Sequence, residues 1–259
     1  MSRIEQSQDK RTPWLTKETR LLLTSAAWFL VNHAPHFLQE KLHYEKHVLT
    51  EESRKNIEIV AQELDKGANA VFFANHLRYT DGPVGLYVLS QAKPDEVAAP
   101  VAKKHYDKNV NFFKILERFG AHAFVVVNPG DDANAAVKAE KFKKYITDIA
   151  TYLGGSHRIL GTYPEATRNK QGYGLQQAQN GIGYFHLSDP DGKCLYVPMG
   201  YVPGEVTGQK YTEIRVGVPF HLKDLIPDLE FKTPEEITTI LMKELAKILP
   251  DKMRGVYGP

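Results

Sequence analysis

Short apolar runs alternate with segments of helical periodicity along most of this chain, and that alternation constrains the fold more than any other feature. Asn69–Ala74 (NAVFFA), Val97–Ala102, Ala121–Val127 (AHAFVVV), Arg158–Tyr163, Leu195–Val202 and Thr212–Val218 read as strands. Between and after them, Glu51–Lys66, Pro83–Gln91, Val110–Phe119, Asp131–Leu153, Ile182–Leu187 and Pro234–Leu249 read as helices. Their punctuation agrees. Gly67 stops the first, Asp131 and Asp132 suit the N-terminus of the fourth, and Thr233 caps the last ahead of Pro234 and two Glu. Strands alternating with helices predict an α/β fold, a single domain with a mixed, mostly parallel β-sheet flanked by helices. Ligands of such sheets collect beyond the carboxyl ends of the strands. The turns after Ala74, Ala102, Val127 and Tyr163 are therefore the places to look for chemistry.

Composition narrows the classes. A chain of 259 residues can bury a large core without staples. With 33 Lys+Arg against 31 Asp+Glu, the formal charge is only +2, which argues against a dedicated nucleic-acid binder. One Cys excludes an intramolecular disulfide framework and a Cys-rich zinc module. That residue, Cys194, reads as a small core side chain rather than a nucleophile. The His residues share no metal-ligand spacing, so no metal is expected. No apolar run is long enough to span a bilayer, and the first residues lack the apolar core of a signal peptide. The expected location is cytoplasmic, with peripheral contact to the inner face of a membrane left open.

Residues 1–50 form an N-terminal segment and residues 51–259 the α/β domain in this reading. Leu21–Leu38 is the most apolar stretch of the chain. It reads either as a helix packed on the core or as an interfacial helix whose Trp28 and Phe29 dip into a bilayer surface. Two basic clusters, one from Lys103 to Arg118 and one from Lys138 to Lys144, read either as solvated helix faces or as landing surfaces for anionic groups.

Two turns carry candidate chemistry. The first reads Asn75-His76-Leu77-Arg78-Tyr79-Thr80-Asp81-Gly82. A carboxylate five positions after a His can hold one imidazole nitrogen and leave the other free to take a proton. No Ser elbow, phosphate loop or His-Glu zinc motif accompanies it. Such a base would have to activate a hydroxyl that belongs to a substrate. The second turn reads Gly161-Thr162-Tyr163-Pro164-Glu165-Ala166-Thr167-Arg168 and projects Glu165, Thr167 and Arg168 from one short loop. Arg offers a planar, bidentate grip on phosphate or carboxylate. Each turn by itself also suits an ordinary polar surface loop.

Together they are more specific. Asn-His-x4-Asp followed about ninety residues later by Tyr-Pro-Glu-Ala-Thr-Arg resembles the signature of the glycerophosphate/lysophospholipid acyltransferase superfamily. Lys103-Lys104 after a strand, Gly120 before a hydrophobic strand and Tyr196-Val197-Pro198-Met199 agree with weaker blocks of that family. The resemblance implies a glycerol-3-phosphate acyltransferase-like fold. It implies that His76 is the general base and Asp81 its orienting carboxylate. Asn75, Arg78, Glu165, Thr167, Arg168 and Lys103 become the residues expected to bind or position substrate. The implied partners are acyl-CoA or acyl-carrier protein as co-substrate and a lipid or other hydroxylated acceptor; no cofactor and no nucleic acid is expected.

Three departures stand out. Ala166 replaces the usual Gly, Tyr163 replaces Phe, and the second block lacks the Arg that usually contacts acceptor phosphate: the strand runs on into Val127-Asn128-Pro129-Gly130. Arg78, inside the first block, is a candidate substitute cation, and another hydroxylated or amino acceptor is equally compatible with this departure. Two other readings use the same residues: a thioesterase in which His76 activates water, and a non-catalytic lipid-binding protein that kept the scaffold.

Overall fold

The computed structural model describes residues 46–78, 81–102, 106–107, 110, 114, 121–126, 134–169, 172–189, 192–206 and 209–258. Leu21–Leu38, Lys103, Lys104 and most of the expected helix Val110–Phe119 lie outside them.

The described chain runs β1 (Lys46–Leu49), α1 (Glu51–Asp65), β2 (Ala70–Ala74), α2 (Asp81–Gln91), β3 (Glu96–Ala102), β4 (Ala121–Val126), α3 (Ala135–Leu153) and β5 (Arg158–Thr162). A 3₁₀ segment (Ile182–Ser188) follows, then β6 (Leu195–Val206), β7 (Gln209–Val216), β8 (Phe220–His221), the single turn α4 (Leu222–Leu225) and α5 (Pro234–Ile248). The sheet order is β1-β7-β6-β2-β5-β3-β4, with β8 paired on β6. β2 to β6 all run one way, while β7 and β8 are antiparallel to β6 and β1 lies parallel to β7. The sheet is thus mixed and mostly parallel, as the alternation predicts.

Every residue of β2 is buried, the pattern of a central strand covered on both faces. Its side chains alternate between two cores. Val71 and Phe73 join Leu160 and Tyr196 under α3 and α5. Ala70, Phe72 and Ala74 join Ile159, Leu195 and Val197 under α1 and α2. The result is three layers, helix on sheet on helix.

Polar side chains fasten the layers. Ser53 of α1 donates to the Ile214 carbonyl (3.0 Å) and accepts from the Val216 N–H (2.8 Å). Asn69 donates to the Leu153 and Gly155 carbonyls and accepts from Arg158 N–H (2.8 Å), joining the end of α3 to the start of β5. Arg158 also meets the buried Glu96 at 3.1 Å. On α5 the expected cap is a full capping box, with Glu236 reaching back to the Thr233 N–H.

The boundaries shift in four places. The long helix begins at Ala135, where the Asn134 side chain accepts from the Ala136 N–H, and not at Asp131. The helical segment at Ile182 is 3₁₀ and runs to Ser188. A Cβ on Gly183 would lie 1.9 Å from the Pro234 carbonyl oxygen, so only glycine permits this packing against α5. β6 runs on from Val202 to Val206 as a hairpin with β7. Lys46–Leu49 already belongs to the sheet, ahead of the expected start of the α/β unit at residue 51. Among the described residues no helix is long and apolar enough to cross a membrane.

Candidate active site

Strands β2 and β5 lie side by side in parallel, with Phe73 opposite Thr162, so the turns that follow them open on the same edge of the sheet. On the other side of β2, Ala74 pairs with Met199 of β6. The next residue leaves the sheet, but its side chain stays. Asn75 Nδ2 donates to the Tyr201 carbonyl (3.0 Å) and Asn75 Oδ1 accepts from the Tyr201 N–H (2.8 Å). The amide group thus copies one rung of the ladder while the backbone turns away. Both ends of the Asn75 amide are engaged in this splice, and the residue is buried.

His76 follows directly. Its Nδ1 lies 3.1 Å from Asp81 Oδ2, and a fifth of its side chain (21%) is exposed. Asp81 opens α2 and is 2% exposed. The same oxygen also accepts from the Leu77 N–H (2.6 Å) and the Arg78 N–H (2.7 Å). Three donors on one atom fix the carboxylate. A carboxylate partner places the imidazole hydrogen on Nδ1 and leaves the lone pair on Nε2. Nε2 has no hydrogen-bond partner among the described residues.

The backbone of His76 is held by the β5 turn. Its N–H donates to Glu165 Oε1 (3.1 Å), and its carbonyl accepts from the Asn169 N–H (3.2 Å). The Tyr163 ring stacks on the imidazole with centroids 4.3 Å apart and planes at 21°. The Tyr163 hydroxyl lies 3.4 Å from that of Tyr201, which donates to the Asp81 carbonyl at 3.0 Å.

Glu165 is 4% exposed. Oε1 is taken by His76 N–H, and Oε2 accepts from the Gln176 N–H at 2.9 Å. Burial raises its pKa above the ordinary carboxylate value, against the pull of these two N–H donors and of His76. Its carboxylate joins two loops. The turn itself closes through Ala166 N–H to the Tyr163 carbonyl (2.9 Å) and puts Ala166 at φ +56°. The usual Gly at this place would adopt that backbone without strain.

The remaining expected residues spread out. Thr167 is exposed and Arg168 half-buried. Lys103 lies outside the described residues. Arg78, two positions after His76, lines an open depression of about 300 Å³ with Lys210, Lys252, Glu205 and Tyr173. The β6–β7 hairpin forms one wall of it. Sequence reasoning missed Tyr201, Tyr173, Lys210 and Lys252. None sits in a motif; they come from the β6–β7 hairpin, the loop after β5 and the residues after α5. Among the described residues no three His, Cys, Asp or Glu side chains gather as a metal site. Cys194 is buried in the core, and burial pushes its thiol well above the usual range, as suits a packing residue.

The edge therefore offers a partly exposed imidazole with a lone pair, a buried carboxylate behind it and a cationic depression beside it. A comparison with curated proteins finds no match. A comparison with protein families matches the Acyltransferase family over residues 53–202, more than half of the chain and the whole stretch from α1 to the Tyr201 splice. On that match this chain belongs to the Acyltransferase family, the 1-acylglycerol-3-phosphate acyltransferase type, and is an acyltransferase.

Proposed function

We propose that the chain transfers a fatty acyl group from an acyl thioester, acyl-CoA or acyl-carrier protein, to a hydroxyl of a lysophospholipid or glycerophosphate-like acceptor. The observation that carries this reading is the His76–Asp81 contact of 3.1 Å with Nε2 left over. In this mechanism Nε2 takes the proton of the acceptor hydroxyl as its oxygen attacks the thioester carbonyl. Asp81 holds the ring and stabilises the imidazolium. The tetrahedral intermediate collapses, the C–S bond breaks, and the thiolate leaves with the proton from Nε2. The products are an ester and a free thiol. The chemistry uses no resident cofactor. Positioning and the base together supply the acceleration, the base alone about 10²–10⁴-fold.

For a phosphate-bearing acceptor, Arg78, Lys210 and Lys252 around the depression supply the cations in this reading, in place of the absent second-block Arg. Thr167, Arg168 and Lys103 complete the set expected to touch substrate. A lipid acceptor would be met at a membrane surface. The Glu165 and Asn75 side chains, being engaged with backbone, serve this reading as positioning groups.

The test is thiol release from acyl-CoA and acyl-carrier protein, with glycerol 3-phosphate, lysophosphatidate and uncharged glycerol-based lipids as acceptors. Acceptor-dependent release that falls about 10²–10⁴-fold in His76→Ala is expected. Full turnover in that variant would sink the mechanism, and release independent of every acceptor would instead mark a thioesterase.

A further inference from the structure

Tyr201 touches the dyad from two directions. Its backbone holds Asn75, the residue before His76, by both amide hydrogen bonds. Its side chain crosses under the site, where the hydroxyl donates to the carbonyl of Asp81 itself (3.0 Å). That same hydroxyl oxygen lies 3.4 Å from the Tyr163 hydroxyl, and the Tyr163 ring is the stacking surface of His76. Since the hydrogen of Tyr201 goes to a carbonyl, the hydrogen between the two phenols comes from Tyr163. Tyr201 is fully buried (0% exposed), and burial holds both phenols well above their usual pKa, so each keeps its hydrogen.

The helix opposite makes room for this contact. A Cβ on Gly85 of α2 would stand 2.8 Å from the Tyr201 hydroxyl and 3.3 Å from that of Tyr163. Glycine inside a helix is destabilising relative to Ala. The contact it admits is thus built into both elements.

We propose that Tyr201 is a positioning residue of the dyad: its hydroxyl sets where Asp81 stands relative to His76 by tying the first turn of α2 to strand β6 and to the stacked Tyr163. It touches no substrate and acts through Asp81. Loss of the hydroxyl lets the α2 turn relax, and the Nδ1 to carboxylate contact changes in length and angle while the substrate surface stays. The kinetic consequence rests on the acyl-transfer reading above; the geometric one does not.

Tyr201→Phe removes one oxygen and keeps both backbone bonds to Asn75. The expected result is a fall in kcat of about tenfold, the size of one hydrogen bond, with KM within about twofold. The ring Nδ1–H proton resonance of His76, assigned by its loss in His76→Ala, is expected to move. Tyr163→Phe keeps the stack and the Tyr201–Asp81 bond, so its loss of kcat is expected to be smaller. Wild-type kcat in Tyr201→Phe, a loss expressed in KM alone, a larger loss in Tyr163→Phe, or an unmoved resonance each overturns the proposal. The resonance is read on the protein without substrate. It therefore judges the positioning role even where the thiol-release assay fails, and that failure bears on the acyl-transfer reading alone.

Discussion

Asp81 and Glu165 are both buried carboxylates in contact with His76, one on its ring and the other on its backbone. Asp81 gathers a ring nitrogen and two backbone N–H groups on a single oxygen. Glu165 divides its oxygens between two backbone N–H groups on two loops. One carboxylate aims an imidazole; the other fastens the main chain beneath it. The sequence motifs set Asp81 beside His76 and Glu165 among substrate-contacting residues, whereas in the structure both meet His76, one at its ring and one at its backbone.

Three substitutions test that division, in falling order of effect. Asp81→Asn keeps an oxygen for the Leu77 and Arg78 N–H groups but loses the charge that stabilises the imidazolium. Its kcat is expected to fall about 10²–10⁴-fold with little change in Tm. An equal fall in Glu165→Gln would erase the distinction. Glu165→Gln turns one acceptor into an NH₂ that faces a backbone N–H, so stability is expected to drop by about 1–3 kcal/mol in chemical denaturation, with a smaller loss of kcat.

The same variant sharpens the comparison through pH. The folded-state pKa of Glu165 is raised, with burial as the largest cause. Its contribution to stability is then full below the unfolded value and is lost as pH rises through the folded pKa. The stability of the wild type relative to Glu165→Gln is expected to decline as pH climbs through that window. A rise there would reverse the sign assigned to burial.

Ala166→Gly is the smallest change. It relieves a left-handed residue in the turn that aims Glu165 and is expected to add about 0.5–1 kcal/mol. A loss of stability would mean that the turn is not strained.

The central architecture was legible because β2 and its neighbours are continuous apolar runs with plain turns between them. NAVFFA reads as a buried strand and the Val-rich AHAFVVV as a strand on apolar pattern alone. β1 was not legible: four residues beginning Lys-His give no period, and only pairing with β7 makes them a strand. The last four residues of β6, past the expected end at Val202, were hidden by Pro203 and Gly204, which are strand-breaking residue types. β2 stops at Ala74, so beyond Met199 the strand pairs with β7 alone, and an edge tolerates such residues. At the site, spacing made His76 and Asp81 candidates, because a tight reversal can bring residues five apart together, and the resemblance of the two paired turns gave them their expected roles. Tyr201 could not, since its link to Asp81 spans 120 positions and follows from strand register.

The Asn75 splice has a consequence for how the molecule opens. Segments around active sites usually come from the weak end of a protein's range of local stabilities and can fray while the rest holds. Here the residue before His76 is a rung of the central strand pair, and the carbonyl and N–H of His76 itself are held by the neighbouring turn. Fraying at His76 therefore means unzipping β2 from β6. Loosening this corner and melting the sheet become one cooperative event, so the chain has little freedom to soften the edge that holds His76 without softening its core.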